Sequence, residues 1–244
     1  MNYIFDVDGT LTPSRGEMDP EFKDWFSKFQ DKNNTYLVTG SDKPKTVEQI
    51  GKQIYNKFIR CYNCQGNEVW VGDEQKKKVN IQLPAQMIDT LQTILNNSFF
   101  PLRTGTHIES RSGLVNFSIV GRGANQDERK AYSIFDRRIG ERAALVRYLN
   151  KHHPEYHAAI AGETSIDIII KGKDKSQVLN DFKPDDQITF FGDNTKEGGN
   201  DYEIAQAVKQ HGGHVYHVAD WKNTFAVLRG IQYLKGLQYK SSLI

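Results

Sequence analysis

The sequence has few cysteines, little net charge and no long apolar run, and each of these absences excludes a class of protein. Its 244 residues include only two cysteines and carry a formal net charge of +2, which is too small to indicate a nucleic acid or an acidic membrane as partner. No apolar stretch approaches the roughly 20 residues that a membrane-spanning helix needs. The segment from Met1 to Phe5 has a strand-like pattern and lacks the basic and apolar regions of a signal peptide. We therefore expect a cytoplasmic protein with neither nucleic-acid nor membrane partners.

The two cysteines, Cys61 and Cys64, form a C-x-x-C pair. A structural zinc site would need two more ligands at matching spacing, which the sequence does not supply. A redox pair should open a helix, whereas Cys64 precedes a turn-like Gln-Gly-Asn segment and the strand-like Val69 to Val71. We expect two reduced thiols close to a hairpin turn.

Both ends of the chain alternate strand-like and helix-like segments. Short apolar runs, such as Tyr3 to Phe5, alternate with amphipathic stretches. Asp19 and Pro20 are a helix cap and a first-turn proline. Val47, Ile50 and Ile54 predict a second helix, and the alternation resumes at a strand over residues 188–191. This order predicts an α/β fold with a Rossmann-like, doubly wound parallel sheet.

The middle of the chain has a different pattern. A helix is expected after Leu83-Pro84, a hairpin around Ser112-Gly113, a helix over about 136–149, and a second hairpin around Gly162-Glu163. Two hairpins with helices between them predict an α+β unit with an antiparallel sheet. We therefore expect a core of residues 1–82 and 172–244, interrupted by an inserted cap domain of residues 83–171.

Two carboxylates, Asp6 and Asp8, directly follow the first strand. In a parallel sheet, residues at the carboxyl ends of the strands converge on one crevice. Because a carboxylate repels a phosphate dianion, a divalent cation such as Mg²⁺ must neutralise charge before Asp6 can attack phosphorus. Asp8 could protonate the leaving oxygen and later deprotonate the acceptor. The bland alternative is an Asp-rich loop after a strand.

Polar residues at other strand ends favour the chemical interpretation. Thr39 and Ser41 could hydrogen-bond a transferring phosphoryl group, and Lys175 could stabilise its charge. Asp193 and Asp201 would join Asp6 and Asp8 as metal ligands. The pattern predicts a magnesium-dependent phosphoryl transfer through an aspartyl phosphate.

The inserted strands alternate with a period of two, which predicts a sheet with one covered face and one polar face. The polar set can bind phosphate and sugar hydroxyls; it comprises Arg111, Arg122, Arg129, Ser165 and Asp167. The alternative is a polar face that simply meets water.

In its core motifs the sequence resembles the haloacid dehalogenase superfamily, and over nearly its full length it resembles the eukaryotic-type phosphomannomutases. The segments that carry the resemblance are Phe5 to Pro13 (FDVDGTLTP), Arg103 to Thr106 (RTGT), Arg111 to Asn116 (RSGLVN), Gly121-Arg122, Glu128-Arg129, Phe190 to Asp193 (FFGD) and Gly198 to Asp201 (GGND). The resemblance implies a haloacid dehalogenase-type core with a cap and a dimer formed through the caps. It also implies interconversion of mannose 6-phosphate and mannose 1-phosphate through Asp6, with hexose 1,6-bisphosphate as intermediate and activator. The implied sugar-phosphate ligands are Arg15, Arg111, Arg122, Arg129, Ser165 and Asp167.

One departure and two alternatives accompany this resemblance. Where the family has an ion-binding loop with a Phe-x-Asp sequence, this chain has Ala205 to Val208, without a carboxylate. We expect a continuing helix there. A sugar-phosphate phosphatase and a non-enzymatic binding module remain alternatives, and the residues do not distinguish mannose from glucose.

Overall fold

The structure is a computed structural model that describes the backbone of residues 1–241 and the side chains of residues 1–234. Its strands are β1 (Asn2–Phe5), β2 (Asn34–Val38), β3 (Arg60–Asn63), β4 (Glu68–Val71), β5 (Glu74–Lys78), β6 (Ile108–Arg111), β7 (Leu114–Ser118), β8 (Tyr156–Ala161), β9 (Ser165–Ile170), β10 (Ile188–Gly192) and β11 (His214–His217). Its helices are α1 (Pro20–Gln30), α2 (Lys43–Ile50), α3 (Lys52–Lys57), α4 (Ala85–Asn97), α5 (Gln126–Ile139), α6 (Glu141–His152), α7 (Tyr202–Gln210) and α8 (Trp221–Ser241). Two short 3-10 segments cover Cys64–Gly66 and Lys175–Asp181.

The chain divides into two compact units. The core unit comprises Met1–Lys77 together with the segment from Asp174 onward, and the cap unit comprises Lys78–Lys173. No helix of the described residues is long and apolar enough to cross a membrane.

The core unit contains a seven-stranded sheet in the order β11-β10-β1-β2-β3-β4-β5. The strands from β11 to β3 pair in parallel, and β4 pairs antiparallel with β3. β1, which lies between β10 and β2, is fully buried, as expected for a parallel sheet covered on both faces. The predicted α/β fold with its parallel sheet is confirmed.

Helix α1 shows how sequence signals produce a core element. The Asp19 side chain accepts a hydrogen bond from the Phe22 N–H at the start of the helix, which satisfies one of its unpaired donors. Phe22, Phe26 and Phe29 are buried on one face. The ring of Phe26 packs edge-on against Phe5 of β1, with centroids 5.1 Å apart. Together these aromatic contacts attach α1 to the strand that leads to Asp6.

The expectation of one helix through Val47, Ile50 and Ile54 is wrong. The segment forms two helices, α2 and α3, which are divided at Gly51. Gly51 has φ = 81°, a left-handed conformation that glycine adopts without a steric penalty. Ile50 and Ile54 are nevertheless both buried, and therefore the apolar spacing continues across the break and conceals it.

The cap unit contains a four-stranded antiparallel sheet in the order β6-β7-β9-β8. The two predicted hairpins, β6–β7 and β8–β9, are both present. The single helix expected over about 136–149 is wrong, because α5 begins ten residues earlier, at Gln126, and α6 follows it across Gly140. Asn125 and Glu128 form a capping box that starts α5. The first turn of α5 is polar and has no apolar periodicity, so a prediction from apolar spacing placed the start of the helix too late.

Candidate active site

Asp6 lies immediately after β1 and meets Lys175 and Asp201 inside the core unit. The Lys175 Nζ lies 2.6 Å from the Asp6 Oδ1 and 2.6 Å from the Asp201 Oδ1. All three side chains are buried, with no more than 2% of any residue exposed. Lys175 begins the 3-10 segment Lys175–Asp181 and Asp201 directly precedes α7. Three separate parts of the sequence therefore supply one buried cation between two carboxylates.

When all three groups are ionised, two negative charges face one positive charge. Burial raises the pKa of Asp6 to about 7, the Lys175 ammonium opposes this rise, and the Asp201 carboxylate adds to it. Burial lowers the pKa of Lys175, but the carboxylates of Asp6 and Asp201 outweigh burial and raise it above its ordinary value. Since one ammonium cannot neutralise two buried carboxylates, a proton or a further cation is favoured at Asp6.

Asp193, which follows β10, completes an acidic group with Asp6 and Asp201. One carboxylate oxygen from each of the three lies within 4.8 Å of the others. The pKa of Asp193 is raised, mainly by burial and then by the charge of Asp201. A side chain at Gly9 would overlap the Asp193 carboxylate, so glycine allows the Asp6 loop to approach this acidic group closely. Three oxygen donors with excess negative charge fit a hard divalent cation.

Asp8 lies outside that group of three and has different partners. Its Oδ1 accepts a hydrogen bond from the Gln49 Nε2 at 2.9 Å and from the Arg15 backbone N–H at 2.6 Å. Arg15 has φ = 58°, an unusual conformation for a residue with a side chain. Both donors converge on one oxygen, which leaves the second carboxyl oxygen of Asp8 available for other contacts.

Sequence reasoning missed Gln49. It lies on α2 and is only 2% exposed, and its Oε1 has no hydrogen-bond partner among the described residues. A glutamine on the buried face of an amphipathic helix, eight residues after Ser41, was the available signal. Its distance of 41 residues from Asp8 in the sequence concealed the contact.

The loop carrying Thr39 and Ser41 begins at the end of β2. The Thr39 Oγ1 accepts a hydrogen bond from the Ser41 N–H at 3.1 Å. The loop is fixed from the other side, where the Cys64 N–H donates to the Ser41 carbonyl and the Gln65 N–H donates to the Thr39 carbonyl. Cys64 and Gln65 both have left-handed backbone conformations, with φ of 48° and 61°. The C-x-x-C segment thus joins the predicted hairpin between β3 and β4, and its backbone braces the Thr39 loop.

The structure brings Arg111 and Arg122 together in the cap unit through Glu109. Arg111 donates to the Glu109 Oε2 from Nε at 2.9 Å and from Nη2 at 2.6 Å. The Arg122 Nε lies 3.2 Å from the same oxygen. Arg129 instead braces the loop around Arg122, because its Nε donates to the Ala124 carbonyl. Two of the three arginines predicted in the cap therefore form a pair around a glutamate that was not predicted as a site residue.

The remaining cap residues lie in a row across neighbouring strands. Glu109 of β6 is opposite Asn116 of β7, which is opposite Asp167 of β9. Directly opposed residues project from the same face, and the Asn116 Nδ2 donates to the Asp167 Oδ1 at 2.7 Å. Ser165 shares the face but is 6% exposed, and Asn116 is 4% exposed. The polar face is therefore buried at Asn116 and Ser165 and exposed to water at Glu109 and Arg111.

Comparison with known proteins gives consistent matches along the chain. The family model described as eukaryotic phosphomannomutase matches residues 22–231. The chain is 34% identical over 220 residues to the phosphomannomutase of Arabidopsis thaliana, an alignment covering 86% of this chain and 88% of that protein. It is 35% identical over 220 residues to the phosphomannomutase of Galdieria sulphuraria, covering 86% of each.

A solved structure supports the fold. The haloacid dehalogenase-like hydrolase from Bacteroides thetaiotaomicron matches with a TM-score of 0.60 and 13% identity, over 94% of this chain and 98% of that one. At this identity the likeness bears on the fold alone. The family-model match and the relatives above 30% identity extend over most of the chain, and the chain therefore belongs to the eukaryotic phosphomannomutase family.

Proposed function

We propose that this chain is a phosphomannomutase that interconverts mannose 6-phosphate and mannose 1-phosphate, with Asp6 as the carrier of the phosphoryl group. The observation that carries the proposal is the buried Asp6 carboxylate, which lies 2.6 Å from the Lys175 ammonium at the carboxyl end of β1. A carboxylate in this setting can be held ionised when a phosphate arrives and can be stabilised as an acyl phosphate afterwards.

Asp6 and Asp8 divide the chemistry between them. One Asp6 oxygen attacks phosphorus, the bond to the sugar oxygen breaks, and Asp8 delivers a proton to that oxygen. In the reverse sense, Asp8 removes the proton from the free hydroxyl of a hexose monophosphate, whose oxygen attacks the aspartyl phosphate; this forms the hexose 1,6-bisphosphate and regenerates Asp6. The free oxygen of Asp8 is suited to this exchange, because Gln49 and the Arg15 N–H hold the other oxygen.

The other core residues stabilise charge. Lys175 supplies a fixed positive charge next to Asp6, and Thr39 and Ser41 offer hydroxyl donors for the phosphoryl oxygens. Phosphate-monoester chemistry needs a barrier reduction on the order of 20 kcal/mol. Because a single hydrogen bond or helix dipole supplies only a small part of this, several groups must act together.

The acidic group fits a bound Mg²⁺. Asp6, Asp193 and Asp201 would hold it through carboxylate oxygens, and Asp8 remains a predicted fourth ligand. When bound, Mg²⁺ neutralises charge on the phosphate and on Asp6. Burial raises the pKa values of Asp6 and Asp193, and the Asp201 carboxylate adds to both rises. A bound cation would offset the cost of ionising these buried carboxyls, which supports this assignment.

The cap residues are proposed to bind the sugar phosphate. A mutase that works through hexose 1,6-bisphosphate must hold the phosphate that is not reacting, and a pair of arginines suits this task. We assign this role to Arg111 and Arg122, with Arg129 bracing the loop that carries Arg122 and Ser165 and Asp167 binding sugar hydroxyls. Arg15 belongs to the proposed set through family resemblance. Activation by hexose 1,6-bisphosphate, a homodimer through the caps and a cytoplasmic location are part of the same proposal.

An isomerisation assay tests this function against the sugar-phosphate phosphatase alternative. Purified chain is incubated with Mg²⁺, mannose 1-phosphate and a catalytic amount of hexose 1,6-bisphosphate, and both mannose 6-phosphate and free phosphate are followed. A mutase produces mannose 6-phosphate with little free phosphate. Free phosphate accumulating without mannose 6-phosphate would show a phosphatase, and neither product would show a binding module.

A further inference from the structure

Glu109 lies between Arg111 and Arg122, the two arginines that are proposed to bind the distal phosphate. The Glu109 Oε2 accepts hydrogen bonds from both the Nε and the Nη2 of Arg111, and it lies 3.2 Å from the Nε of Arg122. The Nε and Nη2 groups of an arginine form one of the edges that bind a phosphate bidentately. The carboxylate therefore occupies the kind of edge that a phosphate requires.

The geometry around these residues limits what can move. The Arg122 backbone is fixed, because its N–H donates to the Thr106 carbonyl at 2.8 Å and the adjacent Gly121 lies so close to the Thr104 carbonyl that no side chain would fit. Glu109 has a flexible side chain on β6 and is 38% exposed at that side chain. The Glu109 carboxylate can therefore leave the arginines by side-chain rotation alone, without a change in the backbone.

We propose that Glu109 is an internal counter-anion that occupies the phosphate-binding edges of Arg111 and Arg122 in the unliganded cap and exchanges with the distal phosphate of the substrate. This inference rests on the proposed function for the identity of the ligand, a sugar phosphate. Glu109 reduces the formal charge of the pair from +2 to +1. It thereby lowers the affinity for the phosphate dianion and replaces that phosphate when it leaves.

The exchange suits a bisphosphate intermediate. Hexose 1,6-bisphosphate must detach from the cap arginines and turn end for end before its other phosphate can react. Two arginines without a counter-anion would hold the dianion more tightly and release it more slowly. Glu109 acts through Arg111 and Arg122, so its effect must disappear when they are absent.

Binding measurements test the proposal without requiring turnover. Mannose 1-phosphate is titrated calorimetrically into full-length chain carrying Asp6→Asn, which removes the nucleophile, with and without Glu109→Gln. The matched control is Glu163→Gln, which removes the same charge from an exposed glutamate of the same unit. Glu109→Gln should tighten binding about three- to tenfold and Glu163→Gln by less than about twofold, because an exposed charge beside a ligand has an effect of this size.

A double-mutant comparison excludes a merely structural role. In chain that also carries Arg111→Ala and Arg122→Ala, Glu109→Gln should no longer tighten binding. In chain with an intact Asp6, Glu109→Gln should lower both KM and kcat for isomerisation, because release becomes slower. Weaker or unchanged binding in Glu109→Gln would overturn the proposal, as would tightening that persists without the arginines.

The two proposals can fail separately. If the chain binds mannose 1-phosphate but does not isomerise it, the proposed function fails, and the binding series still decides the role of Glu109. If Arg111→Ala with Arg122→Ala leaves binding unchanged, the arginines are not phosphate ligands and the inference about Glu109 is wrong.

Discussion

The Lys175 Nζ lies 2.6 Å from the Asp6 Oδ1 although the two residues are 169 positions apart in the sequence. The same ammonium lies 2.6 Å from the Asp201 Oδ1. This arrangement places one fixed cation at the group that is proposed to carry the phosphate, and it leaves one negative charge unbalanced. The proposed metal requirement and the dependence on pH both follow from that imbalance.

Replacing Lys175 by Met should destabilise the metal-free protein and reduce turnover. Two buried carboxylates would lose their common counter-ion, and breaking a buried pair in this way costs about 3–5 kcal/mol. Urea unfolding at pH 8 measures the loss, which should shrink at pH 5 because a protonated Asp6 needs no counter-ion. Lys196→Met, at an exposed position, is the control and should change stability by less than about 0.5 kcal/mol. Equal stability of the two variants would contradict the buried ion pair.

The affinity for Mg²⁺ should rise with pH up to about 7 and then level off. Burial raises the pKa of Asp6 to about 7, and the metal binds the ionised carboxylate. Below this pKa, Mg²⁺ must displace a proton, so the apparent affinity should increase about tenfold per pH unit. Calorimetric titration between pH 5.5 and 8.5 measures the profile. Asp6→Asn should bind more weakly with a flatter profile, and an unchanged profile in this variant would assign the proton to another group.

In the metal-free protein, the same pKa has a consequence for stability. The folded-state pKa of Asp6 lies above the ordinary value of 3.8. The stabilising contribution of protonated Asp6 is therefore fully present below about pH 4 and is lost as the pH rises through about 7. Unfolding in urea with a chelator present should show this decrease relative to Asp6→Asn. A difference between the two proteins that does not change with pH would contradict the raised pKa.

Replacing Gln49 by Leu should reduce kcat for the sugar phosphate about ten- to a hundredfold with a small change in KM. The substitution removes the 2.9 Å hydrogen bond to the Asp8 Oδ1 while preserving the approximate volume, and misorientation of an acid–base group has effects of this size. p-Nitrophenyl phosphate has a leaving group that needs no proton, so formation of the phosphoenzyme from it should be less affected. Equal losses in the phosphorylation step for both substrates would show that Gln49 does not act through Asp8.

Replacing Arg122 by Ala should affect the sugar phosphate more than a small aryl phosphate. The loss of charge-assisted hydrogen bonds to the distal phosphate should lower kcat/KM for isomerisation about ten- to a hundredfold. Hydrolysis of p-nitrophenyl phosphate, which has no second phosphate, should change little. Arg137→Ala, at an exposed position of α5, provides the control. Equal losses for the two substrates would contradict a distal clamp.

The parts of the site that the sequence predicted are those set by local pattern. Asp6, Thr39 and Asp193 each follow a short apolar strand, and parallel strands bring their carboxyl ends to one edge. In the cap, the alternation of apolar and polar residues with a period of two identified the two faces of the strands. The structure and the comparisons confirm the predicted α/β fold and the family. The roles of the individual site residues remain predictions.

The parts that sequence reasoning missed depend on contacts between distant residues. Gln49 reaches Asp8 across 41 positions, and a glutamine on a helix carries no local sign of such a contact. Glu109 was not predicted as a site residue, because its second partner, Arg122, follows another strand. The break at Gly51 was concealed by apolar spacing that continues through it. Each of these features depends on the path of the backbone between elements. Hydrophobic periodicity and secondary-structure propensity do not specify that path.

The most direct test of the phosphate-carrying role is to identify the phosphorylated residue. The chain is mixed with hexose 1,6-bisphosphate and Mg²⁺, quenched in acid within one turnover, digested, and analysed by mass spectrometry. We predict one phosphoryl group on Asp6 and none in Asp6→Asn, whose isomerisation should fall by about 10⁴-fold or more. A phosphoryl group on Asp8 or Ser41, or turnover retained by Asp6→Asn, would contradict it.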